Sequence, residues 1–293
     1  MMDKNTNLVN IPPFVLNDLK KKELGIIGKV FLIFKGKVLS YVVNNFRGSL
    51  LCNVINFYYG KNGKIFYDNS MYYKNIDNSK FYYPNSRFLR VVNDENILIE
   101  VINQSYCLDS IDFKDNDVVI DCGANVGELK LALNRRVAKI KYFAFEPDET
   151  VFTCLKLNFP DDIKNLHNVG LSDTDTAKTL FVDSEGGNSS FIDFGSEHKK
   201  EVKSITLDSL SLNNNIRLFK VEAEGFEPEV LYGSVNTLGK IDFISVDYGS
   251  ERGISQSNTV TEVNEFLYEN NFSLVEFSNF RTVGLYKNNK CTN

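Results

Sequence analysis

The sequence predicts an α/β protein with a mostly parallel, doubly wound sheet behind a lead segment of different character. Three observations carry that reading. Residues 118–127 run Val-Val-Ile-Asp-Cys-Gly-Ala-Asn-Val-Gly. An apolar run that ends in an acid and two glycines suits a buried strand turning sharply into a helix, with backbone exposed to a ligand. Residues 142–148 read Tyr-Phe-Ala-Phe-Glu-Pro-Asp, so Glu146 closes a second apolar run 23 residues after Gly123. A glycine turn followed by an acid on the next strand is how such sheets hold a ribose-bearing cofactor. From Asp117 onward, apolar runs alternate with helical stretches, which implies parallel strands joined by right-handed crossovers.

Taken in order, the lead segment looks partly helical over 11–45, after Pro12-Pro13 and with Lys20, Lys21 and Lys22 exposed. Its most apolar stretch, Gly25 to Val43, is interrupted by Lys29, Lys35 and Lys37, so it reads as a packed helix or hairpin, or an amphipathic surface helix, and not as a membrane span. Ser49 to Ile111 is rich in Tyr, Phe, Val and Ile and punctuated by Gly60-Lys-Asn-Gly63 and Tyr83-Pro-Asn85, which favours short antiparallel strands. Strands are then expected at 118–121, 141–146, 165–171, 218–224 and 241–248, with helices at 128–136, 150–159, 207–212, 228–232 and 259–271. Residues 172–199 form a polar excursion. Two final strands, 272–277 and 282–286, close the chain as an antiparallel hairpin around Asn279 at the sheet edge. The expected domains are a lead segment over 1–105 and a cofactor-binding domain over 106–293.

Composition narrows the class. The chain has 293 residues, 43% hydrophobic and 24% charged, which is ordinary for a globular protein. Five cysteines without Cys-x-x-Cys spacing read as reduced thiols in a cytoplasmic protein, and with only two histidines no metal centre is expected. The polar start, Met-Met-Asp-Lys-Asn, lacks the apolar stretch of a secretory signal. Residues 1–100 carry 14 Lys+Arg against 8 Asp+Glu, whereas the remainder carries 19 against 30. A mildly basic lead segment joined to an acidic core points to an anionic partner, a membrane surface or a biosynthetic complex near the lead segment, and is too weak to indicate nucleic acid.

The turn chemistry discriminates between cofactors. A dinucleotide turn brings its second glycine against pyrophosphate; here Asn125 stands at that place. Asp121 would repel phosphate but suits an ammonium or other cation. S-adenosylmethionine carries a sulfonium, an amine and a ribose and no phosphate, so it is favoured over NAD. Backbone from Gly123 through Ala124 and Asn125 to Gly127 is expected against its methionine portion. Glu146, followed by Pro147, is expected on the ribose hydroxyls, and Ser172 and Asp173 near the adenine.

Three stretches in order, Asp121-x-Gly-Ala-Asn-x-Gly127, Phe145-Glu-Pro-Asp148 and Leu218-Phe-Lys-Val-Glu-Ala-Glu-Gly-Phe-Glu227, resemble FkbM-type S-adenosylmethionine-dependent methyltransferases, and Thr206-Leu-Asp-Ser-Leu210 fits the same pattern. The resemblance covers about residues 105–287. It implies the seven-stranded class I methyltransferase sheet and O-methylation of sugars or other natural products. The family's third motif usually reads Lys-x-Asp-x-Glu-Gly; here Glu222 replaces the aspartate, one methylene further out.

On the acceptor side, Lys220, Glu222 and Glu224 alternate and would share one face of a strand, either as a salt-bridge ladder or to orient or deprotonate a hydroxyl. Asp247 opens the polar loop Asp247-Tyr-Gly-Ser-Glu-Arg-Gly253, suited to a polyhydroxylated acceptor or internally balanced by Glu251 and Arg252. Gly186-Gly-Asn-Ser-Ser190 is a candidate pocket loop or a plain turn. His198 is a distant candidate base, and His167 reads as a packed strand residue. The resulting expectation is an S-adenosylmethionine-dependent O-methyltransferase acting on a carbohydrate or nucleotide sugar in bacterial surface-polysaccharide assembly. A non-catalytic binding module and an NAD-linked sugar-modifying enzyme are the alternatives.

Overall fold

The computed structural model describes residues 25–59, 64–92, 94–137, 139–183 and 188–290. Pro12, Pro13, Lys20 to Lys22, the Gly60 to Gly63 turn, Gly186, Gly187 and Cys291 lie outside the described residues. The chain divides into two compact units, one ending at Leu98 and the other running from Ile99. The division falls inside a helix, not after it at residue 105.

The first unit holds α1 (Ile26–Asn45), α2 (Gly48–Tyr59) and a meander of β1 (Ile65–Asp68), β2 (Met71–Ile76) and β3 (Ser79–Tyr83), before α3 (Glu95–Ser105) leads out of it. Both hairpin turns, Asn69-Ser70 and Asp77-Asn78, have two consecutive residues at positive φ, the conformation that matches the twist of antiparallel strands. Residues 49–59 were expected as strand and are helical: Leu51, Cys52 and Ile55 are buried at helical spacing. The 95–105 stretch is likewise helix. Among the described residues no helix is long and apolar enough to cross a membrane.

The second unit is built on β4 (Val118–Cys122), α4 (Glu128–Leu133), β5 (Lys141–Phe145), α5 (Glu149–Asn158), β6 (Leu166–His167), β7 (Gly170–Leu171), β8 (Ala177–Phe181), β9 (Lys199–Ile205), β10 (Ile216–Val221), α6 (Glu227–Tyr232), β11 (Ile241–Asp247), α7 (Val260–Glu269), β12 (Phe272–Phe277) and β13 (Val283–Asn288). Its main sheet has seven strands in the order β12-β13-β11-β10-β4-β5-β6. Every neighbouring pair is parallel except those of β13. The antiparallel strand therefore lies one place inside the edge, wedged between β11 and β12, and not at the edge itself. β4, β10 and β11 are covered on both faces, and so read as near-continuous apolar runs. Ile120, Phe219, Val221, Ile244 and Val246, all fully buried, are the centre of the core.

Two expectations fail locally. The third strand splits into β6 in the main sheet and β7 in a second, three-stranded sheet, β7-β9-β8. The polar excursion contains β8 and the start of β9, which pair antiparallel from Ala177↔Lys203 to Phe181↔Lys199. The strand order reverses between β4 and β10, and a crevice beyond the carboxyl ends of the strands at such a point is where open α/β sheets bind ligands.

Candidate active site

The turn after β4 is locked to its surroundings. The Gly123 and Ala124 N–H groups donate to the Phe145 carbonyl at 3.1 and 3.0 Å, the Asn125 N–H donates to Glu146 Oε2 at 3.0 Å, and the Gly127 N–H donates to the Ala124 carbonyl at 2.9 Å. The Val126 N–H is taken by the Asn125 side chain at 3.0 Å. Every N–H from Gly123 to Gly127 is thus used inside the protein. A pyrophosphate needs such donors free, so this turn is not built for a dinucleotide.

The glycines are required by space as well as by φ. At Gly123, where φ is +69°, a Cβ would lie 2.0 Å from the Glu222 carbonyl oxygen, and at Gly127, where φ is +90°, a Cβ would lie 2.3 Å from the Phe159 ring. Gly123→Ala is therefore expected to displace the turn from the chain after β10. Differential scanning fluorimetry and calorimetric titration with S-adenosylhomocysteine should show lower thermal stability and lost binding together.

Glu146 follows β5 and is buried. Its Oε1 accepts the Asp148 N–H at 2.9 Å and its Oε2 the Asn125 N–H, which leaves each oxygen a lone-pair direction for a further donor. Burial pushes its carboxyl up to about 7, with Asp148 adding to the shift and the two N–H bonds opposing it. Pro147 offers its carbonyl to Asn168 at 3.2 Å. Asp148 caps α5 through the Thr150 and Val151 N–H groups.

Ser172 is fully buried, its N–H on the Ile205 carbonyl and its hydroxyl donating to Asp173. Asp173 pairs with Lys178 at 3.2 Å. His167 stacks on Phe145, centroids 4.9 Å apart, as a packed strand residue. His198 donates its backbone N–H to Ser196 in the loop before β9.

Asp121 and Lys220 are paired with each other. Asp121 is fully buried, its Oδ1 on Lys220 Nζ at 3.0 Å and its Oδ2 on the Tyr142 hydroxyl. Lys220 Nζ also reaches the carbonyls of Cys122 at 2.9 Å and Gly123 at 2.8 Å, and Glu222 Oε2 at 3.0 Å. Three ammonium donors serving four oxygens leave nothing for an acceptor; Lys220 ties the cofactor turn to β10. Burial opposes its charge, and Asp121 and Glu222 outweigh that, holding its pKa well above the ordinary value.

Glu222 does lie on the Lys220 side, but the alternation stops there. β10 ends at Val221, and Glu224 adopts a left-handed conformation with φ +51°. The turn is held by Glu227, whose Oε1 accepts the Ala223 and Gly225 N–H groups at 3.0 and 2.9 Å and whose Oε2 accepts the Thr259 hydroxyl at 3.0 Å. Ser190 donates its hydroxyl to the Glu224 carbonyl at 2.9 Å.

Asp247 ends β11 and accepts the Gly249 N–H at 3.2 Å. Burial pushes its carboxyl up to about 7 against the pull of Arg281. Arg281, from the turn between β12 and β13, forks between Glu222 at 2.8 Å and Asp247. Tyr106, just after α3, donates its hydroxyl to Glu222. Neither residue carries a signal in the sequence: each is an isolated polar side chain far from the motifs it joins. Arg252 does not balance Glu251; it forks onto Glu229 at 2.6 and 3.0 Å.

The methyltransferase FkbM domain matches residues 121–281, more than half of the chain and every residue of this constellation except Tyr106. The chain belongs to the FkbM methyltransferase family. Its cofactor is S-adenosylmethionine, and the residues fit it: no free phosphate-binding N–H, a buried carboxylate with an open lone pair on each oxygen, and an acidic lining. Methyltransferase 1 of Beauveria bassiana strain ARSEF 2860 is 24% identical over 159 residues, covering 43% of this chain and 62% of that protein, so the chain spans less than two thirds of that relative. Among solved structures, methyltransferase FkbM from Methylobacillus flagellatus KT aligns with a TM-score of 0.46 at 14% identity, over 69% of this chain and 54% of that one. TrmK of M. capricolum in complex with S-adenosyl-homocysteine gives 0.39 at 11%, over 67% and 69%.

Proposed function

We propose that the chain transfers a methyl group from S-adenosylmethionine to a hydroxyl of a carbohydrate or nucleotide sugar, in the cytoplasm, during assembly of a bacterial surface polysaccharide. The observation that supports this best is the set of carboxylates at or just past the ends of β10 and β11, the half-buried Glu222 and Glu224 and the buried Asp247. Carboxylates accept from hydroxyls in pairs, and Arg281 offers guanidinium N–H donors between two of them.

The bound cofactor supplies an electrophilic methyl on a positively charged sulfur. Glu146 receives the ribose hydroxyls, and Gly123 to Gly127 shape the wall against the methionine portion. The turn after β10 orients the acceptor oxygen for in-line attack, a positioning role that accounts for most of the help such a displacement needs. Incubation with methyl-labelled cofactor and a panel of UDP-, GDP- and dTDP-sugars should yield a label that survives mild alkali, as an ether does and an ester does not. Label in an ester, or in none of the sugars, would refute the reading. The mildly basic lead segment supports a further role in contacting an anionic membrane or a biosynthetic complex.

A pH dependence follows from Glu146. Hydroxyls donating to its carboxylate favour the ionised form, so binding lowers a pKa that stands near 7 in the free protein. Below that value, binding must release a proton, and affinity for S-adenosylhomocysteine should rise with pH and level off above it. Titration calorimetry at about pH 6 in two buffers of different ionisation enthalpy should show proton release that is absent at about pH 8.

A further inference from the structure

We propose that α1 docks on an anionic lipid surface through the face that carries Ile26, Val30, Phe34, Lys37 and Tyr41. The inference rests on the anionic contact already assigned to the lead segment, commits that contact to lipid, and does not depend on the acceptor.

The helix supplies the face. Positions 26, 30, 34, 37 and 41 recur at steps of three and four, so they form one stripe along the 20 residues of α1. Ile26, Ile27, Val30, Phe34 and Tyr41 are between 61 and 86% exposed. Leu39 and Val42, on the other side, are buried and seat the helix on its own unit. Single exposed apolar side chains are ordinary on a protein surface. A row of large ones along one helix face marks a contact.

Charge identifies what the face meets. From Leu24 to Tyr67, a run of 44 residues, the chain has no aspartate or glutamate but six cations: Lys29, Lys35, Lys37, Arg47, Lys61 and Lys64. In a chain of net charge −5 this is a local inversion of sign. Lys37, on the stripe itself, is exposed, as are Arg47 and Lys64. A lysine inside an apolar stripe suits a lipid interface, where its stem lies along the acyl chains and its ammonium reaches the headgroups. A second copy docked on the same face would bring cations against cations with no acid from this stretch between them, so the face is not self-complementary. An anionic bilayer offers both parts of the match, apolar depth and negative phosphates above it. Among the described residues no helix is long and apolar enough to cross a membrane, so the contact is one in which α1 lies along the surface.

The test uses the full chain. It contains no tryptophan, so Phe34→Trp places a lone fluorophore on this face. Its emission should be that of an exposed indole in the free protein. On adding vesicles of phosphatidylglycerol and phosphatidylcholine in equal parts, it should shift to the blue and become quenchable by brominated acyl chains. Pure phosphatidylcholine vesicles should bind at least about 10-fold more weakly, since each cation near an anionic surface contributes about five-fold. Lys37→Glu should weaken binding to the mixed vesicles by about 10-fold or more. Val30→Asp should no longer float with them. Because Val30 is largely exposed, that variant should melt with the parent and bind S-adenosylhomocysteine within about 3-fold of it.

Emission already blue-shifted before vesicles are added would mean that the chain itself or a second copy covers the face, and would overturn the proposal. Undiminished flotation of Val30→Asp would do the same. A shift with polyglutamate but not with the mixed vesicles would exclude lipid in favour of an acidic protein and keep the anionic contact; no shift with either would remove both. None of these readouts involves methyl transfer, so failure to methylate any sugar would leave this face standing.

Discussion

Lys220→Met is expected to remove about 3–5 kcal/mol of stability, the usual cost of breaking a buried ion pair by deleting one partner. The site explains why the loss belongs at the upper end. Asp121 is fully buried and keeps only the Tyr142 hydroxyl, while Glu222 keeps Arg281 and Tyr106. The Cys122 and Gly123 carbonyls lose their ammonium donor as well, so the cofactor turn loosens. Urea denaturation followed by circular dichroism should show the lower midpoint. Adding Asp121→Asn should restore part of the loss, because the stranded charge is then gone. A double variant no better than the single one would show that Lys220 acts only through the turn carbonyls.

Glu146→Ala should nearly abolish cofactor binding. Each hydrogen bond from a ribose hydroxyl to a buried carboxylate contributes about 1.5–3 kcal/mol, and two of them correspond to a loss of more than about 100-fold in affinity. The Asn125 and Asp148 N–H groups would also lose their acceptor. Glu146→Gln separates the two effects: the amide oxygen can still serve one N–H, so the turn persists, yet its NH₂ faces a donor. Titration calorimetry should find S-adenosylhomocysteine binding weak in both variants, with the melting temperature lowered mainly in the alanine one. Unchanged affinity in the glutamine variant would remove Glu146 from the ribose.

The cofactor half of this site was legible because its determinants are local. Gly123, Asn125, Gly127 and Glu146 all lie at strand ends whose apolar runs announce themselves, and the structure puts them against one another. The acceptor half was legible in part. The alternation of Lys220 and Glu222 held, but Glu224 left the pattern where the chain turned left-handed, a change made possible by Gly225 and braced by Glu227. The pairing of Asp121 with Lys220 was not legible, because an acid after an apolar run reads the same whether it faces a ligand or a buried lysine. Arg281 and Tyr106 could not be read at all, since each meets Glu222 only through the fold, Tyr106 across more than a hundred residues of chain.

The fold misses share one cause. Residues 49–59 are rich in β-branched and aromatic side chains, yet burial at Leu51, Cys52 and Ile55 makes them a helix, because packing overrides propensity. β8 and β9 were hidden for the opposite reason: most of their side chains face solvent or are only half-buried, so no apolar alternation marks them.

The inserted position of β13 has one more consequence. β12 has no neighbour in the sheet except β13, so the two must join together, and Arg281 arrives in the turn that links them. Until that hairpin seats, the acids past β10 and β11 lack their guanidinium and repel one another. Cleavage of the backbone at Asn279 or Phe280 would leave the cofactor turn and Glu146 intact while stripping the acceptor side of its positive charge. Such a nicked chain should still hold S-adenosylhomocysteine but fail to turn over.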